Sequence, residues 1–156
     1  MKVLVTCHAR APMTRAVGGE IAAALHADVD LIIPRVVRGG LLGWFCDAWD
    51  TTFDRDTDVA QPARNLDAYD VIVIGSPAWH GALSSPVRTY IERNRRRLRT
   101  VALFTTCGAR GGERALDEMI HLFDRDPLAR LVVHEPDLHS GIARSAIAAF
   151  ARRIAH

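Results

Sequence analysis

Short apolar runs alternate with longer amphipathic stretches along most of this chain. Five of the runs, at residues 2–6, 29–33, 71–74, 101–105 and 131–134, are rich in Val, Ile and Leu, and most are followed by a polar residue, Gly or Pro. Such runs are typical of strands that are buried on both faces of a sheet. The pattern therefore predicts a parallel sheet covered by helices on both sides, which is the α/β class.

Apolar residues recur at helical spacing between these runs. Val17, Ile21 and Leu25 share one face and predict a helix over residues 16–25. Pro86 suits the first position of a second helix, which we expect to continue to about Arg95.

Two further helices are predicted in the last third of the chain. The first carries an apolar stripe and ends before Asp126-Pro127; the stripe consists of Leu116, Met119, Ile120 and Phe123. We expect Ser140 to cap the last helix. The inner face of that helix would hold Ala143, Ile147, Phe150 and Ile154.

The connection between residues 34 and 67 interrupts the alternation. It contains Trp44, Phe45 and Trp49, which favour a short helix, and then a polar, acidic stretch over residues 51–64. We interpret it as a crossover helix with a surface loop, or as a functional loop, since connections of this length are uncommon. An exposed Trp44 and Trp49 would form a candidate contact surface for an oligomer.

Composition limits the classes of protein that this chain can represent. The 156 residues suit a single domain spanning 1–156, and 49% hydrophobic and 24% charged residues with a net charge of +2 are ordinary for a soluble protein. No apolar run approaches the roughly 20 residues that span a bilayer, and the first apolar stretch is too short for a signal peptide. Cys7, Cys46 and Cys107 are widely spaced, which predicts reduced thiols in a cytoplasmic protein.

Three connections that follow strands carry candidate ligand-binding chemistry. The first, residues 7–15, offers Arg10, Thr14 and Arg15 beside a helix start, where they could bind an anion or simply cap and solvate the helix. The second, residues 76–85, contains Trp79 and His80. The third, residues 105–112, is rich in Gly and Thr. Because the carboxyl ends of parallel strands share one edge of a sheet, the three predict one site.

The second and third connections each allow two interpretations. Trp79 could stack on a planar ligand or cover a neighbouring loop, and His80 could bind a ligand or stay in solvent. Gly75 and Gly81 would permit a close backbone approach or a turn with positive φ. The glycines of the third connection suit amides that face a ligand, or a plain turn.

These motifs resemble those of the flavodoxin-like family of single-domain FMN-binding proteins. The specific stretch is residues 69–90, where an apolar strand runs into Gly-Ser-Pro-Ala-Trp-His-Gly, and residues 101–108 are similar to the strand and loop that follow in this family. The resemblance covers the whole chain. It implies a three-layer, doubly wound, five-stranded parallel sheet in the order 2-1-3-4-5, with the ligand at the switch point between strands one and three.

The resemblance also implies a set of cofactor contacts. Trp79 would lie beside the isoalloxazine ring, and the first connection would hold the ribityl phosphate through Arg10, Thr14 and Arg15. The remaining contacts with the ring would be made by Ser76, Pro77, Ala78, His80 and Gly81 on one edge and by Thr106, Cys107, Gly108, Gly111 and Gly112 on the other.

The first connection departs from the family pattern. Where flavodoxin-like proteins carry Ser-x-Thr-Gly-Asn-Thr, this chain has residues 9–14 with the sequence Ala-Arg-Ala-Pro-Met-Thr. Two alanines replace hydroxyls, and Pro12 has no N–H. A hydrogen bond to a charged group contributes about 1.5–3 kcal/mol, so we expect a weakened hold on the phosphate, unless Arg10 and Arg15 compensate.

The expected function is FMN-dependent electron transfer or reduction in the cytoplasm. The cofactor would carry the electrons, so no catalytic side chain is assigned. Candidate partners are a redox protein or a small-molecule acceptor, with NAD(P)H or a quinone among the co-substrates. A quinone- or porphyrinogen-linked reductase, and a module of this fold that has lost FMN and acts as a binding or regulatory protein, are the alternatives.

Two other features do not favour further functions. The cationic run at residues 93–97 with Arg99 could contact nucleic acid, but it equally suits the carboxyl end of a helix, which we favour. Cys7, His8, His80 and Cys107 are expected on the same edge of the sheet. Their spacing is not that of metal-ligand pairs, so no metal site is predicted.

Overall fold

A parallel β-sheet forms the centre of the fold. The computed structural model describes residues 1–35 and 58–156. Within these residues the sheet runs in the order β2-β1-β3-β5-β6, and a short strand β4 pairs antiparallel with the end of β3. The strands are β1 Val3–His8, β2 Asp28–Ile32, β3 Val71–Trp79, β4 Ala82–Leu83, β5 Val101–Cys107 and β6 Arg130–His134.

Helices cover both faces of this sheet. They are α1 Pro12–Leu25, α2 Ser85–Asn94, α3 Gly112–Phe123, α4 Glu135–Ser140 and α5 Ile142–Ala155, with a 3-10 turn at Leu66–Ala68 before β3. Buried side chains of α1 and α5 form one core with Val5 and Val73 of the sheet. Those of α2 and α3 form a second core with Leu4 and Ile72, because neighbouring strand residues point to opposite faces.

The strand register brings the ends of β1, β3, β5 and β6 to one edge of the sheet. Cys7 pairs with Gly75, and Pro77 pairs with Thr106. Cys107 in turn pairs with His134. The segments that follow these strands therefore share one rim, which is where ligands bind in open α/β sheets.

The fold confirms the expected class and topology. The five parallel strands follow the order 2-1-3-4-5 when the hairpin strand β4 is left aside. The helix predicted over residues 16–25 begins earlier, at Pro12, whose fixed φ suits the first turn. The stripe on the last helix is buried as expected, and so is that on the third helix apart from Ile120, which is partly buried.

The predicted end of the third strand was wrong. The expected loop at Ser76 and Pro77 is strand, because these residues still pair with Thr105 and Thr106 of β5. Ala78 and Trp79 then pair with β4 in a tight hairpin. Gly75 lies inside the strand, and the ring of Phe104 occupies the space that a Cβ atom there would need.

The predicted cap of the last helix was also wrong. Ser140 ends the preceding helix α4, where its hydroxyl donates a hydrogen bond to the carbonyl oxygen of Asp137 at 3.1 Å. Gly141, with φ of 79°, takes the position before α5. A left-handed residue between two helices lets the chain turn without a side-chain cap.

Two expectations concern regions around the long connection. The Trp44–Phe45–Trp49 segment, with its predicted helix and contact surface, lies outside the described residues, as does Cys46. At the end of α2, Arg93 is paired with Asp58 and Arg97 with Asp67 (3.1 Å), in agreement with the interpretation of a charged helix end. Among the described helices, none is both long and apolar enough to span a bilayer.

Candidate functional site

A cleft of about 250 Å³ lies at the rim, between the start of α1 and the ends of β3 and β5. Its walls come from three separate segments and from the first residue of α4. The lining residues are Ala11, Pro12, Met13, Thr14, Pro77, Ala78, Trp79, Thr106, Cys107, Gly108 and Glu135. The cleft therefore lies where the topology predicts a ligand site.

A hydrogen bond between two threonines joins the first and third walls of the cleft. The hydroxyl groups of Thr14 and Thr106 lie 2.6 Å apart, and both residues are buried. One hydroxyl donates to the other, so a single proton of the pair remains for a ligand. Thr14 is thus a structural link as well as a candidate contact.

Trp79 lies at the mouth of the cleft, partly buried, with its indole against His8. The two ring centroids are 5.6 Å apart and the ring planes are nearly perpendicular, at 86°. An edge-on aromatic contact of this kind restricts rotation of the indole. His8 therefore supports Trp79 on one side and leaves the rest of the indole for a ligand.

His8 itself is an uncharged, buried side chain. It is 2% exposed, and its Nδ1 atom has no hydrogen-bond partner among the described residues. Burial, and to a lesser extent the positive charge of Arg10, lower the pKa of His8 from 6.5 to about 4. The imidazole is therefore neutral at pH 7.

The β3–β4 hairpin that carries Trp79 is fixed by buried and partly buried polar contacts. The Ser76 hydroxyl donates to the Pro77 carbonyl oxygen at 2.8 Å and accepts the Ser84 N–H at 3.4 Å. Glu118 of α3 accepts the N–H of Leu83 at 3.3 Å and pairs with Arg88 at 3.0 Å. The position of the indole is thus set by contacts with both α2 and α3.

The hairpin turn touches the loop after β5 through two glycines. Gly81 and Gly111 both have positive φ, 75° and 95°. A Cβ atom at Gly111 would lie 2.5 Å from the Cα atom of Gly81, which is far inside a normal contact. The absence of a side chain at Gly111 lets the two segments meet, whereas a Cβ atom at Gly81 would lie 3.6 Å from the Cα atom of Gly111, an ordinary contact.

Half of the fourteen predicted contacts line the cleft. These seven are Thr14, Pro77, Ala78, Trp79, Thr106, Cys107 and Gly108. The other seven do not line it: Arg10, Arg15, Ser76, His80, Gly81, Gly111 and Gly112.

Several of the residues outside the lining have other roles. Ser76 and Gly81 hold the hairpin, as described above, and Gly112 has the side chains of Val132 and Cys107 where its Cβ would lie. His80 is an exposed residue of the turn, with φ of 53°. Arg15 lines a different, larger cleft of about 450 Å³ between α1 and β2.

Sequence reasoning missed four of the lining residues. The family pattern marks Ala11, Pro12 and Met13 only as replacements for ligand-binding residues, although their position in the first connection places them at the rim. No motif marks Glu135. It follows β6, and the expected strand order, which puts the last strand beside β5, was the signal that could have found it.

The two described thiols are not nucleophiles. Burial raises the pKa of Cys7 to about 11, and burial also raises the pKa of Cys107. Both cysteines are free and remain protonated at neutral pH. Cys107 therefore contributes a wall to the cleft rather than a reactive group.

Residues 3–143 match the profile of the NADPH-dependent FMN reductase family. The chain belongs to this family. It is thus a flavodoxin-like protein of a family of FMN-binding flavin oxidoreductases, as the resemblance in its motifs implied. A search of curated proteins gave no match.

Solved structures similar to this member of the FMN reductase family share its fold. A flavoprotein from Lactobacillus acidophilus in complex with FMN has a TM-score of 0.68 at 15% identity, over 89% of this chain and 97% of that one. A protein from Bacteroides uniformis, provisionally named a flavoprotein, has a TM-score of 0.74 at 19% identity, over 97% of both chains. Oxidised flavodoxin 1 from Bacillus cereus has a TM-score of 0.61 at 15% identity, over 100% and 99%.

The cleft fits a flavin ring better than it fits a phosphate. On the ring side, a partly buried indole, one available hydroxyl proton and the ends of two strands face the same space. On the phosphate side, the N–H of Ala9 donates to the carbonyl oxygen of Ile32 at 3.0 Å, and that of Ala11 to His8 at 3.4 Å. Two of the amides that a phosphate would use are therefore already engaged.

Proposed function

We propose that this protein is an NAD(P)H-dependent flavin reductase that binds FMN in the cleft between Trp79, Thr14 and Thr106. The family assignment supports the class of reaction. The observation that carries the location is that these three residues, far apart in sequence, line one space at the carboxyl edge of the sheet.

When bound, the flavin supplies the redox chemistry, taking up electrons from a reduced nicotinamide and passing them to an acceptor. The chain would position the ring. Trp79, held by His8 and by the hairpin, offers an aromatic surface beside the ring. The ends of β3 and β5, at residues 77–78 and 106–108, line the same cleft and would contact the edges of the ring.

The remaining side chains keep competing chemistry away. Both described cysteines stay as thiols, so they do not attack the flavin. The shared hydrogen bond of Thr14 and Thr106 leaves one proton for the ribityl hydroxyls. No catalytic acid or base is assigned to the chain.

We further propose that the protein works in the cytoplasm and transfers electrons to a small-molecule acceptor, such as a quinone, or to a protein. Two buried cysteines that remain free support a reducing compartment. The donor-poor phosphate side of the cleft favours one alternative, a flavodoxin-fold module without FMN that acts in binding or regulation.

The function is tested by adding FMN and NADPH to the purified protein and following flavin absorption and NADPH oxidation. We expect quenching of flavin fluorescence and FMN-dependent oxidation of NADPH. Replacement of Trp79 by Ala should weaken FMN binding about two- to tenfold, because aromatic stacking contributes about 0.5–1.5 kcal/mol. Trp79→Phe, which keeps an aromatic ring, should lose less.

Two outcomes would decide between the functions. A protein that neither binds FMN nor oxidises NADPH in its presence would support the cofactor-free module. If Trp79→Ala lowered the free energy of unfolding without changing FMN affinity, the indole would be a packing residue and the proposed ring position would be wrong.

A further inference from the structure

The start of α1 offers few groups that could bind a phosphate. Ala9 and Ala11 have no hydroxyl, and their N–H groups donate to Ile32 and His8. Pro12, at the first turn of the helix, has no N–H. The N–H groups of Met13 and Thr14, in the first turn of α1, remain as the donors that a helix start normally leaves open.

Thr14 carries the one hydroxyl that matches the family pattern, and this hydroxyl is already hydrogen-bonded within the protein. Thr14 shares its hydrogen bond with Thr106, 2.6 Å away, and both are buried. A phosphate dianion is bound best by several charge-assisted hydrogen bonds. This end of the cleft supplies few of them.

Glu135 adds a negative charge to the same cleft. It lines the cleft together with Ala11, Pro12 and Thr14. Its main-chain N–H donates to the carbonyl oxygen of Gly108 at 3.3 Å, which fixes the residue at the rim. A carboxylate on the wall of a phosphate site repels the phosphate.

Arg10 is the cation that acts against this repulsion. It lies near enough to His8 for its charge to contribute to lowering the pKa of that residue. Arg10 and Glu135 are both exposed, so the attraction of the one and the repulsion of the other are screened alike by solvent and salt, and Arg10 does not outweigh the shortage of hydrogen-bond donors. The balance of groups is thus unusual for a site that must hold a dianion.

We propose that this site selects flavins by the ring and the ribityl chain and not by the terminal phosphate, with Glu135 as the residue that opposes phosphate. Riboflavin and FMN are then both substrates. This inference rests on the proposed function. It assigns the substrate class as flavins with or without a phosphate.

The test is a titration of the full-length protein with FMN and with riboflavin, followed by quenching of flavin fluorescence. We expect the two dissociation constants to agree within about tenfold. Glu135→Gln should tighten FMN binding about two- to fivefold at low salt and leave riboflavin unchanged, since exposed charge pairs have effects of this size. The gain should disappear at high salt.

Two further variants serve as controls. Glu113→Gln removes a carboxylate that faces His134 at 3.5 Å and does not line the cleft, so both dissociation constants should stay the same. Ala11→Ser restores a hydroxyl to the wall of the cleft and should favour FMN over riboflavin.

The outcomes separate this inference from the proposed function. If FMN bound more than about tenfold tighter than riboflavin, or Glu135→Gln changed both flavins equally, the inference would be wrong and the flavin reductase would stand. If neither flavin bound, the proposed function would fail and this inference with it.

Discussion

His8 shows how one residue can be explained by its surroundings alone. It is the last residue of β1, it is buried, and the indole of Trp79 packs against its ring. A charged imidazole in that place would lose its hydration without gaining an anionic partner, so the neutral form is kept. Burial of His8 therefore lowers the free energy of unfolding only at a pH at which the unfolded chain binds a proton and the folded chain does not.

We predict that His8 makes the protein less stable in mild acid. Its pKa is about 4 in the folded chain and 6.5 in the unfolded chain, so the unfolded state binds the proton first as the pH falls. The contribution of His8 should therefore lower the free energy of unfolding between pH 6.5 and pH 4, by about 3 kcal/mol in total. Above pH 7 this contribution should not change with pH. Urea unfolding at pH 7.0 and pH 4.5 measures the difference.

The matched variant is His8→Gln, which cannot titrate. Between the two pH values its free energy of unfolding should fall by about 2–3 kcal/mol less than that of the natural chain. An equal loss in both proteins would show that other groups cause the acid sensitivity.

At the scale of elements, the segments that form the rim contact one another directly. The hairpin after β3 is tied to α3 through Glu118, and its turn rests on the loop after β5 through Gly81 and Gly111. Ligand contacts on two different strands are therefore positioned together. A side chain at Gly111 should therefore displace both segments.

We predict that Gly111→Ala destabilises the protein by about 2–4 kcal/mol. The new methyl group would meet the main chain of Gly81, and φ of 95° is strained for any residue with a Cβ atom. Urea unfolding gives the loss in free energy, and flavin affinity should fall with it as the hairpin shifts.

Gly108→Ala is the control in the same loop. Nothing lies within 4 Å of a Cβ atom there, so the free energy of unfolding should change by less than about 0.5 kcal/mol. Similar losses in the two variants would contradict the assignment of Gly111 as a contact position.

At the scale of the whole molecule, the pattern of apolar runs predicted the α/β class with a parallel sheet, and the resemblance to flavodoxin-like proteins implied the strand order. Apolar runs such as residues 71–74 and 101–105 mark strands that are buried on both faces, and these runs became the central strands β3 and β5. Helical spacing, as in Val17 and Ile21, marked the faces that pack on the sheet.

The site was only partly predictable, because its details depend on contacts between distant segments. The sequence placed Trp79 and Thr106 on one rim, but it could not show that Thr14 and Thr106 share a hydrogen bond. Nor could it show that Ser76 continues the strand. Pairing with β5 outweighs the local signal for a turn from Gly75 and Pro77.

We predict that the chain unfolds as one cooperative unit. The two hydrophobic cores lie on opposite faces of the same strands, so neither can be lost without exposing the other. Far-UV circular dichroism and tryptophan fluorescence should give the same urea midpoint, and saturating FMN should raise that midpoint by mass action. Separate midpoints for the two probes would indicate more than one unit.

The threonine pair has a consequence for how the protein meets its ligand. With Thr14 and Thr106 already joined, the first helix and the fourth parallel strand are locked together before anything arrives. The ligand therefore meets a wall of the binding site that is already formed. Its capture should thus be governed by diffusion and access to the mouth, with little delay from rearrangement of the wall.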